Sequence, residues 1–237
     1  MRKSYATTNS MKLTGLSKDS IYNVKITAYV QGDTATVYSF RSEQISAPTK
    51  PSKVTGVKYK DYDIKKGSVS VTINKSANAT GYKIRIYDCK TVVAKADSSS
   101  YKQLKAASSK LKKYKYFNVK VSAYVTVNGK KVYGDWSNAV YVSPPVLVSG
   151  KNTSKGISIK WGKVSGATNY SVYVSNKPNS GYKLFKTISK NSITINKFGK
   201  KSLKSGSNYY LYVVANKKVG KTTYKNDAYI YNVKYKK

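Results

Sequence analysis

The sequence predicts an all-β protein built as an array of repeated domains. One phrase consists of a Leu, an aromatic residue six positions later and then apolar residues at every second position; it occurs at 16–28, 111–123 and 203–215. Its aromatic residues, Tyr22, Phe117 and Tyr209, are 95 and 92 residues apart. Alternating apolar residues predict half-buried β-strands. Self-similarity at this period indicates separately folded domains rather than the short units of a solenoid.

A second phrase supports the same period. It reads VSVTINKSANATGYKIRI at 69–86 and ISIKWGKVSGATNYSVYV at 157–174. Ile73 and Trp161 take the same place in the two copies, and a Tyr follows nine residues later in each. The pattern predicts two antiparallel strands joined by a loop of small residues. No such segment precedes the first Leu phrase, so the first repeat is expected to be a partial one.

Prolines mark the junctions between the predicted domains. Pro48 and Pro51 flank one junction, and Pro144 and Pro145 lie in the other. The residue before a proline is pushed towards extended backbone, so both segments are interpreted as short, semi-rigid linkers. The predicted domains are a partial repeat at 1–47 and complete repeats at 51–142 and 145–237.

Each repeat is predicted to end in a β-hairpin. In the middle repeat, short alternating strands flank Asn128-Gly129, the strongest two-residue hairpin signal. Turns that contain a Gly occupy the corresponding places in the other two repeats. The final strand is then predicted at 139–143 in the middle repeat and at 229–233 in the last.

These residues resemble the fibronectin type III family, an immunoglobulin-like β-sandwich without a disulfide. Trp161 matches the inward Trp of the family's second strand, and Tyr22 and Tyr209 match the corner Tyr that opens its sixth strand. Ile73 and Phe117 depart from that pattern, and the family's corner Pro is absent from all three repeats. The resemblance implies tandem fibronectin type III β-sandwiches over both complete repeats, preceded by a partial one.

Residues that carry most enzyme chemistry are scarce, so the sequence predicts a non-catalytic protein. There is no His, the usual base near neutral pH and the commonest metal ligand. Cys89 is the single Cys, which excludes a zinc cluster and an intrachain disulfide, and its flanks favour a structural thiol over a nucleophile. Asp61 and Asp63 lack neighbouring oxygen ligands for calcium, so a turn is favoured. Ser and Lys are abundant, but nothing singles out a Ser–Lys dyad. No catalytic, cofactor-binding or metal-binding residue is predicted, and no cofactor.

Net charge is the one extreme property of the composition. Lys and Arg number 45 against nine Asp and Glu, which gives a net charge of +36. Such a surface attracts polyanions, and the attraction weakens steeply with salt. All but three of the cationic residues are Lys, whereas proteins that read nucleic-acid sequence favour the bidentate Arg, so base-specific recognition is not expected. The excess is explained either by compositional bias and solubility or by attraction to an anionic wall polymer or acidic glycan.

Two lysine clusters and one Trp are the candidate binding residues. The lysines flank Leu111 and Leu203 in the same connection of the two complete repeats: Lys110, Lys112, Lys113, Lys115, Lys200, Lys201 and Lys204. A long polyanion would engage both clusters by bivalency; alternatively, a Lys-rich chain simply places its charges in exposed loops. Trp136 has polar neighbours and is the candidate for an exposed aromatic, with packing under lysine stems as the alternative.

Function and location are expected from the resemblance. The chain opens without an apolar signal segment, and no stretch is long enough to span a membrane. The resemblance implies an extracellular protein, and the composition is similar to secreted or cell-wall-associated proteins of Gram-positive bacteria. We expect a non-catalytic spacer or interaction array within a larger surface protein. The alternative is an adhesin-like module that binds an acidic cell-wall polymer or glycan. A monomer is expected unless the partial repeat pairs with a second copy.

Overall fold

A computed structural model describes residues 4–87, 90–95 and 103–237, and these residues are almost entirely β-structure and loops. They form a β-hairpin followed by two β-sandwiches, with a single 3-10 turn at Ser109–Leu111. The prediction of an all-β protein with tandem sandwiches is therefore confirmed. Cys89, whose thiol was interpreted as structural, lies outside the described residues.

The first hairpin consists of two long arms, each broken into two short strands. The strand β1 (Ile21–Val24) pairs with β4 (Ile45–Pro48), and β2 (Tyr29–Gln31) pairs with β3 (Thr36–Tyr38). Both pairs form two-stranded sheets among the described residues. The hairpin corresponds to the last strands of a complete repeat.

The middle sandwich packs a three-stranded sheet against a larger one. The smaller sheet has the order β5 (Lys58–Asp63), β6 (Ser68–Thr72) and β9 (Leu104–Ala107). The larger sheet has the order β8 (Lys90–Lys95), β7 (Gly81–Ile86) and β10 (Phe117–Val127), with β11 (Lys130–Tyr133) and β12 (Val140–Val142) pairing with opposite ends of β10. All pairings in both sheets are antiparallel.

The C-terminal sandwich repeats this arrangement. Its smaller sheet has the order β13 (Val148–Thr153), β14 (Gly156–Trp161) and β17 (Ser192–Ile195). Its larger sheet has the order β16 (Lys183–Ile188), β15 (Asn169–Ser175) and β20 (Asn208–Val219), with β21 (Thr222–Lys225) and β22 (Tyr231–Lys234) pairing with β20. A small hairpin of β18 (Lys197–Phe198) and β19 (Lys201–Ser202) lies between β17 and β20.

The predicted hairpin turn and final strands are present in the structure. Asn128 and Gly129 have φ of 49° and 74°, the left-handed values that a type I′ turn needs at both central residues. The final strand is β12 where 139–143 was predicted and β22 where 229–233 was predicted. In both sandwiches the first, second and fifth strands form one sheet, and the remaining strands, apart from the small hairpin of β18 and β19, form the other.

Apolar residues at alternate positions fill the space between the sheets. In the middle sandwich, Tyr82, Ile84 and Ile86 of β7 are buried among the inward residues of β10. Trp161 of the C-terminal sandwich is buried, and its ring lies edge-on to that of Tyr170 with centroids 5.5 Å apart. The predicted inward position of this Trp is confirmed.

Tyrosine hydroxyls fix the loops that precede the core strands. The corner residues Tyr22 and Tyr209 each accept a hydrogen bond of 2.9 Å from the backbone N–H five positions upstream, on Ser17 and Lys204. Phe117 has no hydroxyl, and in its repeat the backbone N–H of Lys112 instead donates to the Ser109 carbonyl, which closes the 3-10 turn. In the middle repeat this turn stands where the other two repeats have the tyrosine hydrogen bond.

Candidate functional site

The first lysine cluster surrounds the 3-10 turn between β9 and β10. The Ser108 hydroxyl accepts from the Lys110 N–H at the start of the turn, and Leu111 is buried in the core of the middle sandwich. Burial of this Leu directs Lys110, Lys112 and Lys113 into solvent, and all three are exposed. The turn therefore presents three cations on a short segment anchored to the core.

Lys115 differs from its neighbours in the cluster. It is half-buried, and its ammonium group lies 5.7 Å from the centre of the Phe117 ring. Its backbone forms an isolated bridge with Ser165 of the C-terminal sandwich. The structure therefore places Lys115 at the junction of the two sandwiches rather than in a free loop.

The second cluster lies in the corresponding connection of the C-terminal sandwich. Gly199, with φ of 61°, and Lys200 form the turn between β18 and β19, and Lys201 begins β19. Lys200, Lys201 and Lys204 are all exposed. The two clusters thus occupy the same connection in different local conformations.

Acidic residues do not neutralise these clusters. Among the described residues, the ion pairs are Lys50–Asp135 at 2.6 Å and Lys66–Asp63 at 3.5 Å, and neither includes an exposed lysine of the clusters. Asp63 also accepts from the Lys66 backbone N–H at 3.0 Å, and this hydrogen bond is the main cause that lowers the pKa of its carboxyl group. Asp63 therefore fixes a turn, the role favoured from the sequence.

Trp136 is half-buried rather than exposed. The guanidinium of Arg85, on the neighbouring β7, lies 4.5 Å from the centre of the Trp136 ring, within the range of a cation–π contact. An Arg covers the ring where the sequence interpretation considered lysine stems. This covering reduces the ring surface that a ligand could stack on, because the cation already occupies part of one face.

The junction between the two sandwiches contains a buried tyrosine that the sequence interpretation missed. The hydroxyl of Tyr116 donates to the Ala215 carbonyl at 2.6 Å, and its backbone N–H donates to the Ser165 carbonyl at 2.9 Å. Although Tyr116 precedes β10 of the middle sandwich, its ring belongs to the core of the C-terminal one. Burial raises the pKa of its phenol, which favours the protonated, hydrogen-bond-donating form.

The hairpin of β20 and β21, called here the C-terminal hairpin, lies on the other side of this junction. The Tyr224 hydroxyl donates to the Ala139 carbonyl at 3.1 Å, and its ring lies edge-on to that of Tyr141 with centroids 5.1 Å apart. The side-chain amide of Asn226 donates to the Pro144 carbonyl at 2.7 Å, and both linker prolines are buried. The linker predicted to be semi-rigid is therefore packed between the sandwiches.

The N-terminal junction is polar by comparison. The Asp19 carboxylate accepts from the Ser52 N–H at 2.8 Å, and Lys50 pairs with Asp135. Gly134 allows the linker to approach closely, because a Cβ at this position would lie 2.6 Å from the Pro51 carbonyl oxygen. The hairpin thus contacts the middle sandwich through its base, with few apolar side chains involved.

A cleft of about 700 Å³ lies where the middle sandwich meets the C-terminal hairpin. Its charged and aromatic lining residues are Lys53, Lys58, Lys225, Tyr59, Tyr141 and Tyr224. Tyr59 donates a 2.8 Å hydrogen bond to the Asp227 carboxylate, and burial together with this bond raises the pKa of the phenol. Lysines and tyrosines thus line part of this cleft.

No helix among the described residues is long and apolar enough to cross a membrane.

No protein-family model and no curated protein sequence match this chain. Among solved structures, it is similar to the crystal structure of chicken CNTN1 FN1-FN3 domains, at 14% identity and a TM-score of 0.33, with 88% of this chain and 76% of that chain covered. The chain's own strand order gives it the architecture of tandem fibronectin type III-like β-sandwiches.

Proposed function

We propose that the chain is a non-catalytic spacer or interaction array of an extracellular, secreted or cell-wall-associated protein. The observation that supports this proposal most directly is the packed junction, in which Tyr116 of one sandwich lies in the core of the next. Buried linker prolines and hydrogen bonds across the junction restrict the angle between the sandwiches. A device that holds other domains apart needs this restriction.

In this proposal the chain is divided into a partial repeat at 1–47 and domains at 51–142 and 145–237. The two cores, centred on β10 and β20, support the division. The packed junction implies that mild proteolysis cuts more slowly at 143–146 than an exposed linker would allow.

A spacer predicts a fixed particle length in solution. Small-angle scattering of the monomeric chain is expected to give one maximum dimension, that of a fixed arrangement of the two sandwiches. This dimension should not change between roughly 0.15 and 0.5 M salt, a range over which the screening length shortens. The oligomeric state must be measured under the same conditions, because a mixture of monomer and dimer would broaden the apparent particle size. A broad distribution of dimensions, as for modules on a flexible tether, would contradict the spacer.

The second candidate is an adhesin-like module that binds an acidic cell-wall polymer or glycan through the lysine clusters. Six of the seven predicted lysines are exposed and join no ion pair among the described residues, which favours this function. The cationic cleft at the junction adds Lys53, Lys58 and Lys225 to the surface that a bound polymer could follow.

The binding function predicts a loss of affinity when the clusters lose charge. Replacing Lys112, Lys113, Lys200 and Lys201 with Gln is expected to weaken binding of a heparin-like polymer by about 10-fold, because two linked contacts are removed. Surface plasmon resonance at fixed salt provides the measurement.

The matched control removes the same charge elsewhere. Gln at Lys25, Lys75, Lys130 and Lys131 removes four exposed lysines from the first hairpin and from the end of the middle sandwich that faces it, away from both clusters. Equal losses from both variants would show that overall charge alone determines binding.

A further inference from the structure

The first hairpin carries an apolar face that no described residue covers. Ile26, Val30 and Val37 are 64%, 71% and 68% exposed. A soluble monomer seldom leaves several large apolar side chains exposed together. The face therefore needs a physical explanation beyond ordinary surface composition.

The complete repeat shows that this face is a core surface. The Ile26 N–H donates to the Ser42 hydroxyl at 2.9 Å, and at an offset of 95 residues the Val121 N–H donates to the Ser137 hydroxyl at 3.0 Å. Val121 is 0% exposed, because the rest of its sandwich covers it. Ile26 therefore makes the same backbone hydrogen bond as a core residue, but no second sheet among the described residues covers its side chain.

Opposite the apolar face, the hairpin is built like its complete counterpart. Tyr29 pairs with Tyr38 across the strands, as Tyr124 pairs with Tyr133 in the middle sandwich. The matching pairs place Val30 and Val37 together on the other face. This match places Ile26, Val30 and Val37 on one side of the hairpin.

The hairpin also differs from the rest of the chain in charge. Between 20 and 48 the charged residues are Lys25 and Arg41 against Asp33 and Glu43, so the segment is neutral in a chain of net charge +36. Two copies of a strongly cationic protein repel each other, and the repulsion is weakest where the surface is neutral. Charge therefore favours self-association through the hairpin over association through the lysine-rich sandwiches.

We propose that a second copy of this chain packs its hairpin against this face, which makes the protein a two-fold symmetric dimer. A two-fold interface brings the same patch of both copies together, and an apolar face is complementary to itself. An isolated two-stranded hairpin is marginal in water, whereas two hairpins packed face to face bury the apolar side of each. The inference stands independently of the spacer and binding functions.

Sedimentation velocity of the 237-residue chain tests the proposal. A dimer is expected at micromolar concentrations, and higher salt should strengthen it because screening weakens the repulsion between cationic copies. Polyanion binding would respond to salt in the opposite direction. A monomer at all concentrations and salt levels would overturn the proposal.

Lysine substitutions identify the interface. The double change Ile26→Lys and Val30→Lys is expected to give a monomer, because dimerisation would bury unpaired charges. The control Asn23→Lys with Thr27→Lys adds the same charge on the opposite face of the same arm of the hairpin. It should leave the dimer intact. A dimer that survives the first pair, or is lost equally with both pairs, would place the interface elsewhere.

A crosslinking experiment covers the case in which lysine unfolds the hairpin. In a Cys89→Ser background, Val37→Cys on the apolar face should form intermolecular crosslinks with a short bifunctional maleimide. Tyr38→Cys, one position along and on the other face, should crosslink far less. Equal crosslinking at the two positions would contradict a face-to-face dimer.

Discussion

Replacing Trp161 with Ala is expected to destabilise the C-terminal sandwich by about 3–5 kcal/mol, the range for removing a large aromatic side chain from a packed core. The indole is 4% exposed and belongs to the same buried cluster as Leu211, which is 0% exposed. Its contact with Tyr170 is edge-on. Deleting the indole removes all these contacts and leaves a cavity between the sheets.

The middle sandwich supplies the natural control for this substitution. Ile73 takes the corresponding position and is 8% exposed, so Trp161→Ile tests a side chain that the same fold already accommodates. The indole N–H has no hydrogen-bond partner among the described residues, and a buried unpaired donor carries a penalty of its own. Trp161→Ile is therefore expected to cost clearly less than Trp161→Ala.

The two Trp residues allow the sandwiches to be followed separately. Trp136 lies in the middle sandwich, so in Trp161→Ala it is the single fluorescent indole. Denaturant unfolding followed by circular dichroism should show an earlier loss of the C-terminal sandwich, and Trp136 fluorescence reports how far the middle sandwich follows it through the junction. Unchanged stability of the C-terminal sandwich would mean that the indole does not support the core.

The fold could be predicted because its determinants lie within single strands and recur. Alternation around Tyr82 and Tyr170 fixes which side of each strand is buried, and the Asn128-Gly129 turn fixes one hairpin register. The same apolar pattern recurs after 95 and then 92 residues, which shows that the pattern belongs to a repeated fold and is not a chance alternation. The same logic identified the inward position of Trp161.

The junction could not be predicted, because its contacts join residues of two different repeats. Tyr116 lies one position before the corner residue Phe117, in a run of lysines and tyrosines with no period that relates it to Ala215. Trp136 shows the same limit: its polar neighbours in sequence suggested exposure, whereas Arg85 from another strand covers it. The lysine clusters are visible in the sequence because charge is local, and their ligand stays a prediction.

Replacing Tyr116 with Ala is expected to separate the unfolding of the two sandwiches. The change removes a buried ring from the C-terminal core and leaves the Ala215 carbonyl without its 2.6 Å donor. Loss of a buried aromatic costs about 3–5 kcal/mol, and here part of that energy couples the two sandwiches. Calorimetry should show two well-resolved transitions in the variant and overlapping or single transitions in the parent.

Two further variants divide this effect into its parts. Tyr116→Phe keeps the ring and loses the hydroxyl, while the Ala215 carbonyl keeps the Asn226 backbone N–H as a donor at 3.4 Å. It should therefore cost only about 0.5–1.5 kcal/mol, the net contribution of one hydrogen bond, and should leave the sandwiches coupled. Tyr87→Ala removes an exposed ring of the middle sandwich and should change neither transition by much. If Tyr116→Ala lowered the stability of the C-terminal sandwich while the transitions stayed superimposed, the tyrosine would serve that core without coupling it to its neighbour. The junction would then be rigid for another reason, and the contacts of Tyr224 and Asn226 would be the next to test.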